Sequence, residues 1–298
     1  MKRRVFLRRM GQASLLPAAL HAAGQKKRPN ILFFFADDHS IQTLGAYKTR
    51  LRKFIKKHKI TPNIDSIASG GALFENSFVC NSICGPSRAA VLTGKHSHIN
   101  GFKANGDKFN PKQWNMAKAF RKVGYNTAIF GKWHLGTLPA GFDAYKVLQG
   151  QGTYYNPELI VNNKEKTVRR HGYCTDIVSE MTIEWLKKRK NKDKPFFLCS
   201  WHKSPHRVWM PHPRHFKLLD NVRIPEPENL FDDYKGRTSS AREQEMSIAK
   251  EINIVGDVKV SPPLASSTPE QIKESIPQTA SCYRTLVRES MGCLLCAA

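Results

Sequence analysis

Four short stretches of this chain carry side chains that suit chemistry. The first is Cys84-Gly85-Pro86-Ser87-Arg88, followed by Leu92-Thr93-Gly94. Pro86 suits the first helical position, where a missing N–H costs nothing, and Gly94 is a natural stop. A thiol at such a helix start lies where the dipole and the free N–H groups favour negative charge. Arg88, one turn on, would point back at the same spot. That pairing suits a nucleophile acting on an anion; taken alone, the residues equally fit a helix that opens on a buried cysteine. The second stretch, Asp37-Asp38, follows an apolar run. Adjacent carboxylates repel, so something positive must hold them, and hard oxygen donors favour Ca²⁺ or Mg²⁺; a plain acidic loop at a strand end has the same composition. Lys132 and His134, two apart on an extended segment, would share one face. His202-Lys203-Ser204-Pro205-His206 is the fourth. Each of the last two, in isolation, reads equally well as a polar surface loop.

The elements that must position these groups are legible in the same way. Asn30–Phe35, Tyr125–Phe130 and Pro195–Trp201 are continuous apolar runs, the pattern of strands buried on both faces of a parallel sheet. All three finish in the polar groups just named, at the strand ends where open α/β sheets place their sites. Thr61 caps an expected helix with Pro62 at its first position, Ile64, Ile67 and Ala68 as its apolar face and Gly70-Gly71 as its end. Ala72–Val79 then reads as a strand leading to Cys84. Met116–Val123 is an expected helix stopped by Gly124, and a longer one follows Gly172 as far as Lys190, with a basic last turn that suits the dipole. The fold class is α/β, a mostly parallel sheet flanked by helices.

In this order the motifs resemble the formylglycine-dependent type I sulfatases of the alkaline-phosphatase-like superfamily. Cys-x-Pro-Ser-Arg with a downstream Leu-Thr-Gly, Asp-Asp after the first strand, Thr-Pro-Asn-Ile-Asp, Phe-Glu-Asn-Ser-Phe, Gly-Lys-Trp-His and Pro-His-Arg all carry that resemblance, over about residues 29 to 235. It implies that Cys84 is converted to formylglycine by a dedicated generating enzyme. It implies that Asp37, Asp38 and the residue at 84 bind Ca²⁺, with Mg²⁺ as the substitute. Arg88 and Lys132 would stabilise charge on the nucleophile and the sulfuryl group, His134 would take a proton from the nucleophile, and His206 would help the leaving alcohol depart. His202 and Lys203 are the remaining substrate-side candidates. A later Asp-Asn-Gly or Asp-His-Gly, which the family uses to complete the metal site, does not occur after His206. The expectation is therefore an alkaline-phosphatase-like fold lacking its C-terminal part, with residues 29–260 as the catalytic portion and 261–298 as an atypical tail.

The remaining features bound the partners. The formal charge is +24, which draws polyanions. No nucleic-acid motif is present, and a sulfated glycan fits the Cys84 signature. The basic run from Lys48 to Lys59 reads as a solvated face. Residues 1–28 combine Arg3-Arg4-x-Phe6-Leu7 with a short apolar stretch too brief to span a bilayer, so they read as a twin-arginine export signal and a periplasmic or extracellular location. Seven cysteines without framework spacing argue against a disulfide scaffold. Two other readings remain: a phosphomonoester or phosphonate ester hydrolase of the same superfamily, and a non-catalytic domain that adheres to polyanions.

Overall fold

The three apolar runs lie side by side at the centre of the protein's sheet. The computed structural model describes residues 28–162, 167–230, 232–244 and 257; residues 1–27 of the expected 1–28 export signal and the tail from 261 fall outside them. Six strands are ordered β1-β6-β2-β3-β4-β5: β1 Ile31–Phe35, β2 Asn126–Lys132, β3 Ala144–Leu148, β4 Glu158–Val161, β5 Val168–Arg169 and β6 Phe196–Trp201. β1, β6, β2 and β3 run parallel, and β4 and β5 add an antiparallel edge.

β2 and β6 are buried almost throughout, as continuous apolar runs require. Side chains alternate between two cores. On one side Phe197, Cys199 and Trp201 meet Ile129, Trp133, Phe142, Ala89 and Leu92. On the other, Phe196 and Leu198 meet Ala128, Phe130, Ile177, Val178 and Met181. Each fully buried side chain of this size contributes roughly 1.5–3 kcal/mol relative to exposure. Gly131 shows how close the strands come. It has φ +102°, and a Cβ there would lie 1.9 Å from the Trp201 carbonyl oxygen, so no other residue fits.

The helices are α1 Arg52–Lys57, α2 Pro62–Gly70, α3 Cys84–Thr93, α4 Ser97–Asn100, α5 Met116–Lys122, α6 Cys174–Lys188 and α7 Ser239–Arg242. Asn115 caps α5, its side chain accepting from the Lys118 N–H. α3 ends as expected: Gly94 is left-handed at φ 64° and its N–H donates to the Ala90 carbonyl. α6 packs Ile177, Val178 and Met181 against the sheet, and Lys188 pairs with Glu184 at its basic end.

Three expectations fail. Among the described residues β1 is an edge strand, half-buried on one side and open on the other, with Phe34 55% exposed. Ala72–Val79 is irregular, with Phe74 and Phe78 exposed, because no ladder partner lies beside it among the described residues. The apolar face of α2 is exposed at Ile64 and Ile67; Thr61 spends its hydroxyl on Asp65 and on the Gly45 N–H rather than on a helix cap. Among the described residues, no helix is long and apolar enough to cross a membrane.

Candidate active site

The chain leaves β1 at Phe35 and brings Asp37 over the ends of β2 and β6. The Asp37 N–H donates to the Ser204 carbonyl at 3.2 Å, which ties the first strand end to the loop after β6. Its carboxylate is 5% exposed. One oxygen lies 3.3 Å from Arg88, and the other contacts the Lys132 ammonium. Burial opposes ionisation, but Arg88 and then Lys132 outweigh it and hold the carboxyl below its ordinary value.

Arg88 is therefore not aimed at the thiol, as its position in the helix suggests. It is fully buried beneath the site, donates to the Lys132 carbonyl at 2.6 Å, and lies over the Phe35 and Trp201 rings at 5.2 and 5.3 Å. Its charge still acts on Cys84 through space. The two aspartates diverge rather than share one site. Asp38 adopts φ 60° and turns outward, 53% exposed, with its carboxylate 3.7 Å from His206 Nε2.

Cys84 is the first residue of α3, so Pro86 lies two positions further in than expected. The thiol is half-buried. Burial would raise its pKa, but hydrogen bonding with His134 and His206, the charge of Lys132 and a bond with Asn105 bring it down from 9.0 to about 4. Asn105 serves twice: its Oδ1 accepts the Gly85 N–H at 3.0 Å and its Nδ2 lies 3.3 Å from Sγ. Gln151 Nε2 approaches the same sulfur at 3.9 Å. His134 is held at φ 55°, a left-handed conformation unusual for a non-glycine residue. A cleft of about 420 Å³ opens beside it, lined among others by Asp107, Thr137, Leu138 and Gly150.

The structure thus brings Asp37, Asp38, Cys84, Arg88, Lys132, His134 and His206 into one connected cluster. Lys203 joins its rim, buried, with its ammonium 5.1 Å from the centre of the Tyr154 ring and its charge felt by Asp37 and Asp38. His202 does not join. Its ring stacks on Phe34, its Nε2 lies 3.2 Å from the Ser200 hydroxyl, and burial drops its pKa to about 4. Adjacent strand residues face opposite sides, and His202 falls on the α6 side with Ser200 and Thr182. Asn105, Gln151 and Tyr154 were invisible in the sequence. Ala104-Asn105-Gly106 has only the composition of a turn.

Asp37 and Asp38 offer the hard oxygens that Ca²⁺ or Mg²⁺ takes, so the donor set fits in kind. It does not fit in number: both Asp37 oxygens are engaged by cations, and no cluster of three or more His, Cys, Asp or Glu able to hold a metal occurs among the described residues.

The sulfatase family pattern matches residues 29–289. The chain is similar to an N-acetylglucosamine-6-O-sulfatase of Bacteroides thetaiotaomicron, 40% identical over 279 residues, which is 93% of this chain and 47% of the relative. It is 34% identical to human N-acetylgalactosamine-6-sulfatase over 218 residues, 59% of this chain and 39% of that one. A solved structure described as bound to its substrate D-glucosamine-2-N,6-O-disulfate superposes with a TM-score of 0.74 at 40% identity, covering 89% of this chain and 55% of its own. The chain spans about half the length of the curated relatives it matches.

Proposed function

This chain belongs to the sulfatase family, and we propose that it hydrolyses the 6-O-sulfate ester of a glucosamine or N-acetylglucosamine residue in a sulfated glycan. The observation that carries this reading is the surrounding of Cys84. Two histidines, a lysine and an amide converge on one side-chain atom at a helix start. That arrangement stabilises an anionic oxygen as readily as a thiolate, and the Cys84 sulfur stands in for that oxygen. The 6-O-sulfated sugar comes from the relatives, whose names and bound ligand specify it.

Oxidised to formylglycine, residue 84 would supply a hydrated aldehyde with two hydroxyls, one to attack sulfur and one whose deprotonation releases sulfate. Lys132 and Arg88 supply positive potential from below, buried where it is little screened. His134, which bonds the residue-84 side chain, would take the proton from its hydroxyl. His206, which also bonds residue 84 and lies 3.7 Å from Asp38, would protonate the departing alcohol. Asp38, exposed and facing His206, and Asp37 would be the protein ligands of a divalent cation. As placed, with Asp37 held by Arg88 and Lys132 and Asp38 turned outward to His206, the two fill only part of a shell of about 6–8 oxygens.

The test is chemical and comes in two parts. Coexpressed with a formylglycine-generating enzyme, the Cys84 peptide is expected to lose about 18 Da, the difference between thiol and aldehyde. Sulfate release from N-acetylglucosamine 6-sulfate is then compared with phosphate release from the 6-phosphate. An unconverted thiol, or preference for the phosphate ester, refutes the proposal.

A further inference from the structure

The loop that carries His206 has no helix or strand of its own between Trp201 and Pro213. Its main-chain carbonyls need donors from elsewhere. Three of them receive one from a tyrosine hydroxyl. Tyr154 donates to the His206 carbonyl at 2.6 Å, Tyr173 to that of Met210 at 2.8 Å, and Tyr155 to that of Pro211 at 2.8 Å. Ser204, nearer the start of the loop, exchanges a hydroxyl bond with Thr175 at 2.8 Å.

The tyrosines are themselves fixed. Tyr155 bridges to Tyr173 in the manner of paired strands, and the Cys174 N–H donates to the Tyr154 carbonyl at 2.7 Å. Asn156 closes the same corner, its N–H donating to the Gly172 carbonyl and its side chain accepting the Gly172 N–H, both at 2.9 Å. The Tyr154 and Tyr173 rings stack at 6.0 Å, and Tyr155 meets Tyr173 edge-on at 5.4 Å. This block stands at the start of α6, where Asp176 accepts from the two terminal Arg214 nitrogens at 2.9 and 2.6 Å just beyond the loop. Burial pushes all three phenols upward, Tyr155 to about 12, so the hydroxyls stay protonated donors through the working range.

We propose that Tyr154, Tyr155 and Tyr173 are positioning residues for His206: their hydroxyls strap the 206–211 main chain to the start of α6 and so fix the reach of the imidazole toward residue 84. Tyr154 acts most directly, because the carbonyl it holds belongs to His206 itself. The part of this that concerns chemistry rests on the sulfatase reading, in which His206 protonates the leaving alcohol. The strap itself does not.

Tyr→Phe changes remove one hydroxyl each and keep the ring packing. Losing three neutral hydrogen bonds at once is enough to raise local opening about tenfold. In the Tyr154→Phe/Tyr155→Phe/Tyr173→Phe chain, amide hydrogen exchange over residues 204–212 is expected to quicken about tenfold while β6 stays unchanged. In the converted enzyme, kcat for a sugar 6-sulfate, a poor leaving group, is expected to fall about tenfold with KM steady. For nitrophenyl sulfate, which departs without protonation, it stays within about twofold. Tyr154→Phe alone is expected to give most of the catalytic effect. Unchanged exchange over 204–212 overturns the strap whatever the activity. Faster exchange with equal loss on both esters reduces the tyrosines to structural support and overturns their role toward His206. A parent enzyme without turnover on either ester counts against the sulfatase reading, and the exchange result then decides the strap alone.

Discussion

Asp37→Asn tests the central electrostatic feature of the site. The side chain keeps its shape, but the buried guanidinium of Arg88, 3.3 Å away, and the buried ammonium of Lys132 lose their shared counter-charge. Arg88 is 1% exposed and Lys132 fully buried, so water cannot replace it. Removing one partner of a buried pair costs about 3–5 kcal/mol, because the other charge stays buried. At roughly 2–4 °C per kcal/mol for a domain of this size, the melting temperature should fall by about 6–20 °C. Circular dichroism melting at pH 7 reads this directly. The sign of the pH dependence follows from the lowered carboxyl. A depressed folded pKa gives stability that is present above the unfolded value, ordinarily 3.8, and lost as pH falls through the folded value below it. The gap between parent and variant should therefore narrow only under acid conditions, below about pH 4. Adding Lys132→Met to Asp37→Asn removes one of the two orphaned charges and should recover part of the loss. A variant that melts within about 2 °C of the parent at pH 7 would show that Asp37 does not neutralise the pair.

Two more outcomes follow from the same geometry and from the termini. In unconverted protein, iodoacetamide at pH 6 should label Cys84, whose thiol is held at about 4, and leave Cys174, pushed to about 12, and Cys199, also raised by burial, untouched; labelling of Cys84 only above about pH 8 would refute the account of its surroundings. Residues 1–28 fused to a folded reporter should carry it across the inner membrane, and Arg3→Lys with Arg4→Lys should stop it; export that survives both changes points to the general secretory route.

What the sequence made legible was the set of strand ends. A parallel strand covered on both sides must be apolar along its length, so Tyr125–Phe130 and Pro195–Trp201 announce themselves, and Lys132 and Lys203 mark where they stop. β1 has the same composition and is less buried, because composition does not record what covers a strand; among the described residues it lies at the edge. Ala72–Val79 fails for the same reason: a strand is defined by its partner, not by its own residues. Side chains that reach the site from far along the chain leave no spacing to read. Asn105 is 21 residues from Cys84, and Tyr154 is 52 from His206.

The adjacent carboxylates show the limit most sharply. Asp37-Asp38 in sequence demands positive charge, and a divalent cation is the economical answer. The fold supplies another for half of the pair: Arg88 from α3 and Lys132 from β2 converge on Asp37, while a left-handed turn at Asp38 carries the second carboxylate outward to His206. A cation binding both aspartates would compete with Lys132 for the same Asp37 oxygen. A carboxylate oxygen shared by two positive partners binds each of them less well than it binds either alone, so the ion pairs at Asp37 count against a cation held by both aspartates.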